Sequence, residues 1–278
     1  MRLVVTGSGG AVARAFLAEV PGHHDVYPFA HAELDVGDHH AVMQRVVPVK
    51  PDAIVNLAAM TRVDDCETER EEAYRSNTIG PHNLALAARR CGAVLLHVST
   101  DYVFDGEKGS PYDELDRPNP ISVYARTKLG GEVMVRRHVP EHFVVRTGWL
   151  FGGGNDHLSR TVAAMREGES GRALADRVGT PTFVRHLAER LLPLVLTERF
   201  GTYHLAGPEP ASWFDVLTRI RFLEGLPVSV ERQEVQDLDL PAARPANSAL
   251  TSLFTEDLGV GPLPSLDVAL KEFIDGAG

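Results

Sequence analysis

Cysteine is scarce: Cys66 and Cys91 are the only two in 278 residues. Both fall in stretches with helical spacing, which excludes a disulfide framework and points to packing roles in a reducing compartment. Long apolar runs are also missing. None approaches the roughly 20 residues that cross a bilayer, and the chain enters a strand pattern at Arg2 without signal-peptide organisation, so the expected setting is the cytoplasm and no membrane partner is expected. A basic excess is absent as well. The 38 acidic residues outnumber 28 Lys and Arg, for a formal net charge of −10, which argues against nucleic acid as a partner. Metal signatures are lacking too. The twelve histidines include the neighbours His23/His24 and His39/His40, but adjacent side chains diverge and none joins an H-E-x-x-H or Cys/His pattern, so no metal site is expected.

What is present is an alternation of short β-branched runs with longer helical patterns. Strands are expected over 3–6, 25–27, 53–57, 94–99 and 143–146, and helices over 11–19, 41–47, 71–90 and 124–138. The near-continuous apolar character of the strands fits a parallel sheet covered on both faces. The fold class read from this order is α/β, a Rossmann-type doubly wound parallel sheet with a smaller C-terminal substrate lobe. Residues 1–150 form the dinucleotide domain in this reading and 151–278 the lobe, with 183–206 returning to the main sheet as one more helix and strand.

The first strand runs into Gly7, Ser8, Gly9 and Gly10, and a helix opens at Ala11 and Val12 with Ala13 on its first turn. Small residues let the backbone turn tightly and approach a pyrophosphate, which then faces the positive end of the helix. After the second strand come Leu34, Asp35 and Val36. The Asp35 carboxylate either accepts a hydrogen bond from an adenine amino group or caps the next helix. No clear acid or arginine stands where ribose hydroxyls or a 2′-phosphate are usually read; His31 does, and its protonated ring suits a phosphate, which favours NADPH while NADH stays open.

Tyr124 and Lys128 stand four apart at the start of a helical pattern and so share a face. An ammonium beside a phenol favours the phenolate and makes the oxygen a competent proton donor and acceptor near neutral pH. Thr100 ends the buried strand before them, at the edge where open α/β sheets place ligands, and its hydroxyl can hydrogen-bond a substrate carbonyl.

These residues resemble the extended short-chain dehydrogenase/reductases, and among them the dTDP-4-dehydrorhamnose reductase family. The likeness spans nearly the whole chain: the early G-x-x-G-x-x-A turn, L-D-V at 34–36, N-L-A-A at 56–59, S-T-D-Y-V-F-D-G at 99–106, Y-x-x-x-K-x-x-G-E at 124–132, R-T-x-W at 146–149, G-x-P-T at 179–182 and R-P-x-x-S-x-L at 244–250. It implies Thr100, Tyr124 and Lys128 as the catalytic set. It further implies Val36, Leu57, Ala58, Ala59 and Asn77 beside the cofactor, and Val63, Asp101, Tyr102 and Trp149 around the sugar. The family usually carries D-Q before G-x-P-T, whereas Arg177 follows Asp176 here. Arg177 and Arg244 are candidates for charge-assisted contacts to a nucleotide diphosphate. The implied activity is NAD(P)H-dependent reduction of the 4-keto group of a nucleoside-diphosphate 4-keto-6-deoxyhexose. A sugar-nucleotide epimerase, and a regulatory subunit like the β subunit of methionine adenosyltransferase, are the alternatives. The expected partner is a nucleotide sugar, with a homodimer left open.

Overall fold

The computed structural model describes residues 1–276. The chain begins β1 (Arg2–Thr6), α1 (Ala11–Glu19), β2 (Asp25–Phe29), α2 (His39–Val46) and β3 (Ala53–Asn56). It continues through two short helices, α3 (Asp65–Thr68) and α4 (Arg70–Tyr74), then a π-helical turn over Arg75–Ile79, α5 (Gly80–Cys91) and β4 (Val94–Thr100). Next come α6 (Val123–His138), β5 (His142–Thr147), β6 (Leu150–Phe151), α7 (His157–Arg166), β7 (Gly171–Leu174) and β8 (Thr182–Phe183). The remainder is α8 (Val184–Leu196), β9 (Gly201–His204), α9 (Trp213–Glu224), β10 (Val230–Gln233) and α10 (Leu266–Gly276).

Six parallel strands form the central sheet in the order β2-β1-β3-β4-β5-β9. The two-residue strand period sends Leu3 and Val5 to one face and Val4 to the other, and all three are fully buried. On the first face they meet Phe16 of α1 and Leu187 and Leu191 of α8. On the second, Val4 and Ile54 pack with Val42 of α2 and Leu84 of α5. Burying each such side chain contributes ~1.5–3 kcal/mol, and cover on both faces explains why these strands read as continuous apolar runs. β2 is an edge strand and carries Pro28, which an edge tolerates because one row of its N–H groups has no ladder partner.

The chain leaves β1 for β2 on one side and then crosses to β3 on the other, so the connections after β1 and β3 diverge at their C-terminal ends and open a crevice there. A third apolar cluster lies outside the sheet, where Leu158 and Met165 of α7, Val216 and Ile220 of α9, and Leu270 and Phe273 of α10 pack together with Phe151. β7 pairs with β10 and β6 with β8 in two small parallel sheets.

Two expectations are corrected. The helix expected over 71–90 is broken into α4, the π-helical turn and α5. Pro81 has no N–H to return to the Asn77 carbonyl, and α6 approaches so closely that a Cβ on Gly131 would lie 2.3 Å from that same oxygen. The cap of α2 is Asp38, whose side chain accepts from the Ala41 N–H at 3.1 Å, and not Asp35. Among the described residues no helix is long and apolar enough to cross a membrane, and no group of three or more His, Cys, Asp or Glu is placed to hold a metal ion.

Candidate active site

The crevice begins at the glycine turn. Gly7 has φ +72°, and a Cβ there would meet the backbone of Ala58 and Leu57 at 2.6–2.8 Å, so the turn lies directly on the segment after β3. That segment is itself held, because Asn56 Oδ1 accepts both the Thr6 hydroxyl at 2.7 Å and the Ala58 N–H at 3.2 Å. Gly10 precedes α1 without a side-chain cap, which leaves the first N–H groups of the helix for a ligand. Gly9 faces open space. These features fit a dinucleotide diphosphate: a tight turn, free helix N–H groups and no side chain in the way.

A groove of about 640 Å³ runs from this turn, with Gly7, Gly9, Gly10 and Ala11 at one end and His31 and Val36 along its wall. Ala58 lines it as well. It joins a second cavity of about 310 Å³ through shared walls at Val12, Leu57, Ala59, Thr61 and Leu150. Thr100, Tyr124 and Lys128 line the second cavity together, with Val63, Asp101, Tyr102 and Trp149 around them.

Local structure explains the convergence. β4 carries Thr100 to its C-terminal end at the crevice. Ser122 caps α6 by accepting from the Ala125 N–H, and Glu67 Oε1 accepts the Val123 N–H at 2.8 Å, so the first turn of α6 is held at both ends of its free backbone. Tyr124 stands on that turn and Lys128 one turn later. The Lys128 ammonium donates to the Val98 carbonyl at 2.7 Å. Burial, offset in part by the Glu132 carboxylate, brings its pKa down to about 8.

Burial raises the Tyr124 phenol, while the Thr100 hydroxyl, in hydrogen-bonding reach, opposes that rise. The downward pull expected from Lys128 is not among the causes of this shift; the cost of a phenolate in a desolvated pocket decides its direction. A phenol held protonated through neutral pH is the form that gives a proton. Asp101 is likewise buried, which lifts its carboxyl to about 7 against the hydrogen bonds from Ser248 and Thr100. Behind Lys128, burial would raise Glu132, but hydrogen bonds and charge from Arg146, with Arg136 and the Ser99 hydroxyl, hold it at about 2.

Several candidates lie outside the walls of either cavity. Ser8 gives its N–H to the Phe29 carbonyl. Asp35 accepts the Gly37 N–H at 2.8 Å and is paired with Arg75, so its carboxylate is already engaged. Asn77, expected to face a cofactor, is fully buried and brackets Met60, accepting its N–H at 2.9 Å and donating to its carbonyl at 3.0 Å. Arg177 bonds the Asp176 carbonyl and carboxylate at 2.9 Å. Arg244 bonds Asp64 Oδ2 at 2.6 Å and the Ala242 carbonyl at 2.9 Å. Neither arginine reaches the cavity.

Other residues at the site were not singled out from sequence. Trp213 lines the cavity and stacks on Trp149 with ring centroids 4.9 Å apart and planes 23° from parallel. Its signal was available, since it is one of only two tryptophans and follows Ser212, a helix cap. Glu132 stands four residues after Lys128, a helical pairing distance.

A family model described as the RmlD substrate binding domain matches residues 1–277. The dTDP-4-dehydrorhamnose reductase of Sinorhizobium fredii is 36% identical over 265 residues, covering 90% of this chain and 88% of that protein. The crystal structure of a dTDP-4-dehydrorhamnose reductase from Clostridium acetobutylicum superposes with a TM-score of 0.95 at 36% identity, covering 99% of each chain. That of the Bacillus anthracis dTDP-4-dehydrorhamnose reductase, solved in complex with NADP, has the same TM-score at 34% identity and again covers 99% of both. With the family pattern running from the glycine turn to the C-terminal helix, this chain belongs to the RmlD substrate binding domain family of extended short-chain dehydrogenase/reductases.

Proposed function

We propose that the protein reduces the 4-keto group of a dTDP-4-dehydrorhamnose-type nucleotide sugar with NADPH. The observation that carries this reading is the meeting of Thr100, Tyr124 and Lys128 in one cavity that opens into the groove of the glycine turn. Gly7, Gly9, Gly10 and the start of α1 hold the diphosphate of the dinucleotide, whose nicotinamide supplies hydride to the carbonyl carbon when bound.

Tyr124 gives its proton to the carbonyl oxygen as the alcohol forms, and burial keeps it in the protonated form that this direction requires. Thr100 sits beside that phenol and orients the carbonyl. Lys128, one helical turn from Tyr124, lines the same cavity, where the ribose hydroxyls of the bound dinucleotide are the natural acceptors for its ammonium. Trp149 offers an apolar ring face to the deoxysugar, with Val63 and Tyr102 completing the wall. In this reading residues 1–150 with 183–206 carry the dinucleotide and the rest of 151–278 carries the sugar. Asp64 already neutralises Arg244 and Asp176 already neutralises Arg177, which favours assigning diphosphate binding to backbone N–H groups rather than to these two side chains.

The test is Tyr124→Phe, assayed by loss of nicotinamide absorbance with dTDP-4-dehydrorhamnose. Turnover is expected to fall by roughly 10²–10⁴-fold, the usual worth of a positioned acid, while the NADPH dissociation constant changes less than about twofold. Activity near the parent's would remove Tyr124 from its role.

A further inference from the structure

Ser248 lies in the segment after Arg244, outside the cavity wall and almost fully buried. Its backbone is fixed by donating to the Val178 carbonyl at 2.8 Å. Its hydroxyl stands between two residues of the sugar pocket. The Trp149 indole Nε1–H points to Ser248 Oγ at 3.1 Å, and Ser248 Oγ is in short contact with Asp101 Oδ2. An indole N–H only donates, so the serine oxygen accepts from Trp149 and its single proton goes to the Asp101 carboxyl. The other oxygen of that carboxyl faces Thr100 Oγ1 at 3.0 Å. A chain of hydrogen bonds therefore runs Trp149–Ser248–Asp101–Thr100 and ends beside the Tyr124 phenol.

We propose that Ser248 is a positioning residue for ketosugar reduction: one hydroxyl sets the Trp149 ring against the sugar and holds the Asp101 carboxyl that locates Thr100. Trp149 needs such a holder. Its backbone is in the left-handed region at φ 53°, which is unfavourable for a bulky residue and persists where the surroundings over-determine it. Stacking on Trp213 sets the plane of the ring but leaves open which edge of the indole faces Ser248, since a half-turn about the Cβ–Cγ bond keeps the plane. The bond to Ser248 removes that freedom. Gly179 makes room for it, because a Cβ there would lie 2.0 Å from the indole nitrogen. On the other side Gly148 packs so closely on Asp101 that a Cβ would lie 2.3 Å from its carboxyl, so the carboxyl is located by backbone on one face and by Ser248 on the other.

This inference rests on the proposed reductase reading, and its test separates the two. Ser248→Ala removes both hydrogen bonds; Ser248→Cys keeps the site filled with a slightly larger thiol while weakening both, and serves if the alanine variant fails to fold. The expected result is a fall in kcat/KM for the ketosugar of about tenfold or more, the usual effect of losing a buried hydrogen bond, with the NADPH dissociation constant within about twofold of the parent's. A second readout needs no substrate. The chain has two tryptophans, so its ¹⁵N spectrum carries two indole signals, and Trp149→Phe identifies which belongs to Trp149. That signal is expected to shift in the Ser248 variants as the indole loses its acceptor. Ketosugar kinetics within about twofold of the parent in a folded variant, or an unmoved Trp149 signal, would overturn the proposal, even if melting temperature fell. A parent protein that reduces no ketosugar would instead sink the reductase reading, and the indole signal would still decide whether Ser248 holds Trp149.

Discussion

Replacing Gly7 and Gly9 with alanine, one at a time, separates the structural from the ligand-binding part of the glycine turn. At Gly7 the added methyl meets backbone atoms at 2.6, 2.7 and 2.8 Å, on a segment tied down by Asn56, and the residue must also hold φ +72°. The left-handed conformation costs ~1–2 kcal/mol for a residue with a Cβ, and forcing a methyl into packed backbone costs ~1–3 kcal/mol. The sum, about 2–5 kcal/mol, is a large part of the ~5–15 kcal/mol by which a protein is stable. It corresponds to a drop of roughly 3–9 °C in melting temperature for a chain of this size. At Gly9 nothing lies within 4 Å of the added methyl. Gly9→Ala is therefore expected to melt within about 2 °C of the parent yet to bind NADPH at least about tenfold more weakly, because the methyl enters the space given to the diphosphate. Thermal melts and NADPH fluorescence titration read both quantities. A Gly7→Ala protein as stable as the parent would refute the steric argument, and a Gly9→Ala protein with parental NADPH affinity would refute the placement of the diphosphate.

Two further outcomes follow from the buried charges. The Lys128 pKa is lowered to about 8, so its ammonium is present below that pH, and kcat/KM for the ketosugar is expected to fall as pH rises through about 8; a profile flat to pH ~10 would count against a role for the charged form. The same shift disfavours folding below pH 8 and is relieved as pH rises from about 8 toward 10.5, so the alkaline loss is one of activity, not of stability from this group. Glu132→Gln leaves the Arg146 guanidinium buried with a weaker partner and is expected to cost ~3–5 kcal/mol in urea unfolding. In the parent, the Glu132 contribution is fully present above pH 4.5 and is lost as pH falls from 4.5 toward about 2, so parent and variant should converge in stability there; a constant gap down to pH 2 would argue against an ionised Glu132.

Much of the fold could be read from the chain because the evidence was local. The bounds of α1 follow from the glycine turn before Ala11, and the strands announced themselves as apolar runs because both sheet faces are covered. The stretch 71–90 was misread as one helix because its interruption has a distant cause: Pro81 withholds an N–H, but it is the close passage of Gly131 on α6 that fills the space around the Asn77 carbonyl. Asp35 was the cap that the sequence reading offered for α2, and Asp38, three positions on, was not considered. Arg75, forty positions on, takes the first and leaves the second to the helix.

The same distinction runs through the site. The meeting of Thr100, Tyr124 and Lys128 in one cavity could be anticipated from sequence because the roles proposed for them demand particular chemistry at places that local structure marks: the end of a strand, the first turn of a helix, and one turn further along the same face. The groups that hold them carry no such mark. Ser248 is 147 positions from Asp101 and 99 from Trp149, and a lone serine has no spacing to betray it. Arg244 reads as a free cation until the fold brings Asp64 to it across 180 positions. An arginine unpaired in sequence is thus poor evidence for a phosphate site in an acidic protein, since a carboxylate from elsewhere in the chain is the commoner neighbour. In this chain the groove instead presents uncapped backbone N–H groups at the start of α1, an anion-binding feature that the sequence had already placed there.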